Sequence, residues 1–215
     1  IGKLFERNVV RKVTLIAIPR KRDYMHIDTV FTQVRRDMWV MLGEFSNRAL
    51  DDRQSDDLYR SLGVRTHPAA ELDILQFERG NLSAPVRFRS LEDLLVNIST
   101  TEFGCPANRV RFIYSGNDEF PYDAREQWTD SCNLLALKEG VVLGYDRNDR
   151  TANAFRNAGF RVVNVKELLD DLESGRVHAD ELTDTLVLMP SAELSRARGG
   201  FHCMSMPLLR DEPDQ

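Results

Sequence analysis

Cysteine is scarce in this chain. Its three thiols among 215 residues, Cys105, Cys132 and Cys203, include no CxxC pair. They cannot form a disulfide framework, so free thiols in a reducing, cytoplasmic setting are the expectation. No apolar run approaches the roughly 20 residues a bilayer-spanning helix needs, so no membrane partner is expected. Basic residues do not dominate either. The 29 Lys plus Arg face 34 Asp plus Glu, a formal net charge of −5, which argues against a dedicated nucleic-acid binder. GxGxxG and Walker patterns are missing, so no nucleotide cofactor is expected. The four histidines, His26, His67, His178 and His202, contain no HExxH pair, and a metal would need ligands from scattered positions; none is expected.

What remains is a globular composition, 42% hydrophobic and 29% charged, long enough for one large domain or two small ones. No Gly/Ser- or Pro-rich linker divides it. Val13 to Ile18 reads as a buried strand. Asp28 to Val34 and Met38 to Leu42 read as strands joined at Arg35-Arg36-Asp37. From Gly43 to Ser90 the signal is poor, with a helical turn at Leu58 to Leu62 and a short strand at Ile74 to Phe77. No clear helix precedes Leu91 to Ile98, whose apolar residues recur at spacings of three and four behind Ser90 as N-cap. Arg109 to Tyr114 is a strand ending at Ser115-Gly116-Asn117. Asn133 to Leu137 and Val141 to Tyr145 form a hairpin around Lys138-Glu139-Gly140. A helix over Asp149 to Ala158 and a strand over Phe160 to Val165 follow, then a helix over Val165 to Leu172 and strands at Thr185 to Met189 and Cys203 to Leu208. The fold class is α/β with mixed strand directions, and the hairpin–helix–strand pattern from Asn133 to Val165 suggests a module used more than once.

Two clusters can carry chemistry. Near the end of the chain, Ser195 to Pro207 reads SRARGGFHCMSMP. The Gly-Gly pair permits a close backbone approach or positive φ. Arg196 and Arg198 lie upstream of Cys203, and cations favour the nucleophilic thiolate; an inert, buried cysteine is the plain alternative. Near the start, alternation along a strand would put His26 and Asp28 on one face, about 7 Å apart. One group can exchange a proton near neutral pH and the other can hold a cation; a loop-edge histidine capped by an aspartate is the plain alternative. Asn97-Ile98-Ser99 matches a glycosylation acceptor but falls on the Leu91 helix. Trp39 and Trp128 read as packing residues.

Taken together, Met25-His26-Ile27-Asp28-Thr29-Val30-Phe31, then Arg125-Glu126-Gln127-Trp128 with Asn133, then Arg198-Gly199-Gly200-Phe201-His202-Cys203-Met204-Ser205-Met206-Pro207, resemble the arginine deiminases of the guanidino-group-modifying (amidinotransferase) superfamily. The resemblance runs from about residue 10 to 210 and is weakest between Gly43 and Ser90. It implies an α/β propeller of five ββαβ-type modules, of which residues 1–215 would be two to three, the C-terminal part of the catalytic domain with the N-terminal half missing. It implies Cys203 as nucleophile, His26 as general acid and base, and Asp28 as a carboxylate fork on the substrate guanidinium. Arg198 is expected to gate the site or help bind substrate. The implied reaction takes L-arginine to L-citrulline and ammonia with no cofactor, in a parent expected to be a homo-oligomer. An amidinotransferase, a dimethylarginine or agmatine hydrolase, or a non-catalytic member of the fold are the alternatives. Ala197 stands where the family often has glycine and His202 where it often has arginine. Because two acidic site residues of the family are not visible here, the isolated chain is expected to be inactive.

Overall fold

A computed structural model of the chain describes residues 1–51, 72–192 and 194–208. The helical turn expected at Leu58 to Leu62 lies outside the described residues. Among the described residues ten strands fall into three sheets. The first is antiparallel and ordered β1 (Lys12–Ala17), β4 (Asp73–Glu78), β5 (Asn81–Phe88). The second is ordered β2 (Phe31–Arg35), β3 (Met38–Met41), β6 (Arg111–Tyr114). The third is ordered β7 (Leu135–Lys138), β8 (Val141–Tyr145), β10 (Thr185–Met189), β9 (Arg161–Asn164).

The second and third sheets share a plan. In each, an antiparallel hairpin is followed by a strand lying parallel to the hairpin's second member: β6 beside β3, and β10 beside β8. Antiparallel neighbours need only a tight turn, whereas a parallel neighbour needs a crossover, and helices supply it. The crossover to β6 carries α3 (Leu91–Thr101), and the one to β10 carries α5 (Asp149–Asn157) and α6 (Val165–Glu173). The module expected to close at Val165 therefore runs on to Met189: β10 inserts between β8 and β9, an order that periodicity along the chain does not encode.

Local signals explain the helices. In α3 the Ser90 side chain accepts from the Asp93 amide at 3.0 Å. Leu91, Leu94 and Leu95 are buried, each contributing roughly 2 kcal/mol of apolar burial. Asn164 caps α6 by accepting from the Lys166 amide. Among the described residues two short helices precede α3, α1 (Gly2–Glu6) and α2 (Asn47–Asp51), against the expectation of none; each is too short to display a period. The last helix of the set, α4 (Tyr122–Trp128), leads into the site. The largest apolar cluster joins Val30, Val34, Met38 to Leu42 and Phe45 with the buried leucines of α3 and with Phe155 of α5.

Three expected strands differ. β1 is an edge strand with Leu15 exposed, not a buried one. The strand expected from Asp28 begins only at Phe31, because Ile27–Thr29 form a 3-10 turn. No strand covers Cys203 to Leu208; Phe201 to Met204 turn instead, with the Met204 amide donating to the Gly200 carbonyl at 3.2 Å. No helix among the described residues is long and apolar enough to cross a membrane.

Candidate active site

The site is assembled from two loops and one brace. His26 and Asp28 sit on the turn that feeds β2. The His26 carbonyl accepts from the Thr29 amide at 3.2 Å and from Thr29 Oγ1 at 2.7 Å. This local bonding, which competes with extended backbone, replaces the expected strand face by a turn. Thr29 and Val30 are buried beneath it.

Cys203 sits on the loop after β10. Arg198 has φ +62° and Gly199 φ +126°, so the chain reverses before the thiol. Asp130 holds the reversal: its Oδ2 accepts from the Gly199 amide at 2.7 Å, and its Oδ1 pairs with Arg198 at 3.4 Å. The Gly199 carbonyl accepts from the Tyr145 hydroxyl at 2.8 Å, and the Tyr145 ring packs on Phe201 with centroids 4.6 Å apart. Asn133 Oδ1 accepts from the Cys203 amide at 3.1 Å, while its Nδ2 donates to the Asp28 carbonyl at 3.2 Å.

The result brings His26, Asp28 and Cys203 together. Their donor atoms all lie within 4.8 Å of one another. The thiol donates to Asp28 Oδ2 at 3.5 Å, and His202 Nδ1 approaches the same oxygen at 3.0 Å. Asp28 Oδ1 is buried and has no hydrogen-bond partner among the described residues. This trio is the one group of three such donors among the described residues with a spacing that a metal could use. Its shared oxygen, however, is already engaged by both the thiol and His202.

Electrostatics separate the roles. Burial pushes the Asp28 carboxyl up, but hydrogen bonds with His202, Asn133 and Cys203 more than offset it, and the net direction is down. The Cys203 thiol goes the other way, raised first by burial and then by the Asp28 charge, with Asn133 acting to lower it. The expectation that Arg198 would favour a thiolate is therefore corrected. Its guanidinium is directed to Asp130, to the carbonyls of Arg22 and Asp23, and over the Trp128 ring at 4.7 Å. Trp128 is correspondingly half-exposed as an Arg198 platform rather than a core residue, whereas Trp39 is buried with its indole N–H donating to Ser99 Oγ.

Behind these residues, Glu126 is 0% exposed and binds the start of α5, accepting from the Arg150 amide, the Thr151 amide and Thr151 Oγ1 at 2.7–2.9 Å. Unpaired amides at a helix start favour such a carboxylate. Thr129 and Asn148 exchange two further bonds. The Arg125 to Asn133 stretch is thus a scaffold. Sequence reasoning noted its motif but missed Asp130 and Tyr145 and gave Asn133 no role; the cue within reach was an aspartate and an asparagine close behind a Glu-Gln-Trp motif.

Comparison with known proteins points one way. The family described as "Arginine deiminase" matches residues 1–210. An arginine deiminase of Borrelia recurrentis (strain A1) is 30% identical over 211 residues, 98% of this chain and 39% of the relative. One from Borreliella afzelii is 28% identical over 195 residues, covering 91% and 36%. One from Staphylococcus aureus (strain JH9) is 28% identical over 203 residues, covering 94% and 38%. The chain therefore spans only about two fifths of the length of the curated relatives it matches.

Proposed function

The chain belongs to the arginine deiminase family, and from that membership we propose that it carries the nucleophile, imidazole and one carboxylate of an enzyme hydrolysing L-arginine to L-citrulline and ammonia. The single observation that carries this reading is the convergence of Cys203, His26 and Asp28 within 4.8 Å. The coverage of the relatives supports placing it as part of a larger catalytic domain. The shared plan of the β2-β3-β6 and β7-β8-β10 units supports the propeller. The three free cysteines support a cytoplasmic setting.

A guanidinium is permanently charged and resonance-stabilised, so its carbon resists attack. Asp28 offers a planar acceptor edge: Oδ2 is shared with His202 and the thiol, and Oδ1 awaits a donor. Pairing there orients the substrate and offsets the charge that raises the thiol. The Cys203 thiol passes its proton to His26 as Sγ bonds to the guanidinium carbon. The C–N bond to one terminal nitrogen then breaks, with His26 donating the proton that lets ammonia leave. His26 next takes a proton from water, whose oxygen adds to the same carbon. The C–S bond breaks, the added hydroxyl gives up its proton to the departing sulfur as the C=O bond forms, and citrulline leaves. Arg198 begins paired with Asp130, so offering its charge to a substrate carboxylate requires exchanging that partner. Met25, Ile27, Met204 and Met206, neighbours of the site in sequence, are all exposed, as they would be if further parts of a larger domain covered this face.

The test is citrulline formation from L-arginine by the native protein that contains these residues. Turnover is expected, and Cys203→Ser should reduce it by roughly 10³-fold or more while the circular dichroism spectrum is retained. The 215-residue chain alone should form little or none. Near-normal rates in the serine variant would remove Cys203 from the chemistry, and an inactive native protein would favour a non-catalytic member of the fold.

A further inference from the structure

We infer that Asn133 is a positioning residue whose carboxamide sets the separation between the nucleophile loop and the Asp28 turn; the inference deepens the reading of Cys203 and Asp28 above and rests on it. Asn133 is 1% exposed. Its two polar atoms are divided between the two segments, Nδ2 on the Asp28 carbonyl at 3.2 Å and Oδ1 on the Cys203 amide at 3.1 Å. Both bonds go to main chain and so fix where each segment runs, while the same carboxamide also acts on the Asp28 carboxyl and the Cys203 thiol, lowering the pKa of both. The Asn133 amide in turn donates to the Asp130 carbonyl at 3.0 Å, which ties the brace to the residue that holds Gly199.

The chemistry of the position is narrow. It needs a donor and an acceptor at the end of a short side chain. Aspartate loses the donor, leucine loses both, and glutamine is one methylene longer. Gly200 completes the fit. A Cβ added there would lie 2.4 Å from Asn133 Oδ1 and 2.5 Å from Asn133 Cβ, so the nucleophile loop passes against Asn133 more closely than any side chain would allow. The 3.5 Å from Cys203 Sγ to Asp28 Oδ2 is the distance this brace maintains. That spacing lets a carboxylate act on the sulfur, and it would lengthen if either main-chain bond were released.

The test is a double-mutant cycle read on thiol reactivity, with no turnover involved. The pH midpoint of iodoacetamide alkylation is followed by mass spectrometry of the Cys203 peptide, so that Cys105 and Cys132 do not contribute. In the otherwise unaltered protein the midpoint should lie above that of an ordinary cysteine, and Asp28→Asn should lower it. In an Asn133→Ala background, Asp28→Asn should shift it by only a small fraction of that. Gly200→Ala, which leaves Asn133 present but displaces its carboxamide, should abolish the same coupling and covers the case where Asn133→Ala does not fold. A full shift from Asp28→Asn in both backgrounds overturns the brace. No shift in the unaltered protein overturns the pairing of Asp28 with the sulfur, and with it the parent reading.

Discussion

The two loops of the site are held by different balances of local and distant bonds. The His26–Asp28 turn is closed by residues three apart, through Thr29 to the His26 carbonyl, and runs at once into β2, where Val30 and Val34 are buried in the main apolar cluster. The Arg198–Cys203 loop also has local turn bonds, from the Met204 amide to the Gly200 carbonyl and from the Ser205 amide and hydroxyl to the His202 carbonyl, but most of what holds it comes from far along the chain: Asp130, Asn133, Tyr145, Asp28 and the carbonyls of Arg22 and Asp23. A turn with local bonds forms with the strand it feeds. A loop with borrowed bonds forms only once its lenders are in place, and the entropy of ordering it must be offset by them. The imidazole and carboxylate are therefore expected to be rigid chiefly by inheritance and the thiol chiefly by support, so damage at Asp130 or Tyr145 should loosen the Cys203 loop more than its partners, whereas Asn133 bonds to both segments.

The strongest way to break that comparison is Asp130→Ala. Asp130 and the Arg198 side chain are 3% and 4% exposed. Removing the acid strands a buried guanidinium and leaves the Gly199 amide without its acceptor. A loss of about 3 kcal/mol is expected in urea denaturation. Hydrogen exchange should locate it: the Gly199 amide should exchange much faster, while the Leu42 amide, which donates to the Val30 carbonyl, should be little changed below the global opening. Equal acceleration of both would show that the two loops open as one unit.

The same division decides what was legible in the sequence. Strands β3, β8 and β10 and helices α3 and α6 follow from apolar spacing and caps, because their signals are local. The letters around His26 and Cys203 marked residues that the fold brings together, yet the strand face drawn through His26 and Asp28 was wrong. Alternation carries no record of Thr29 Oγ1 turning back to the His26 carbonyl. The thiol's electrostatics were misread because Arg198 is near Cys203 in sequence, but its charge is directed to Asp130. Tyr145 left no trace and Asp130 only its place behind the Glu-Gln-Trp motif, since each acts on a residue 54 or more positions away. The neighbour of β8 was missed for the same reason: a strand's sequence specifies which face it buries and not which strand lies beside it.

A smaller test sharpens the other side of the comparison. Thr29→Val keeps the shape of a buried side chain while deleting the hydroxyl that donates to the His26 carbonyl at 2.7 Å. The carbonyl retains the Thr29 amide, so a cost of about 1 kcal/mol is expected. Exchange of the amide at position 29 should quicken and that of Gly199 should not. A change at Gly199 would mean that the turn, and not only the 130–145 region, supports the nucleophile loop.

The smallest effect asks which part of Tyr145 provides the support. Its hydroxyl donates to the Gly199 carbonyl at 2.8 Å, and its ring lies against Phe201. Tyr145→Phe removes only the first and leaves one carbonyl short of a donor, so the expected loss is about 0.5–1 kcal/mol. Tyr145→Leu removes the aromatic contact as well and should cost more. Burial, with help from Asp130 and Cys203, raises the Tyr145 phenol above its ordinary range. That direction favours the donor form of its hydroxyl, and the phenylalanine variant should alter alkylation of Cys203 by one constant factor rather than by a shifted midpoint. A shifted midpoint would assign the hydroxyl a direct electrostatic part in tuning the thiol, and the distinction between a loop that is supported and a sulfur that is tuned would no longer hold.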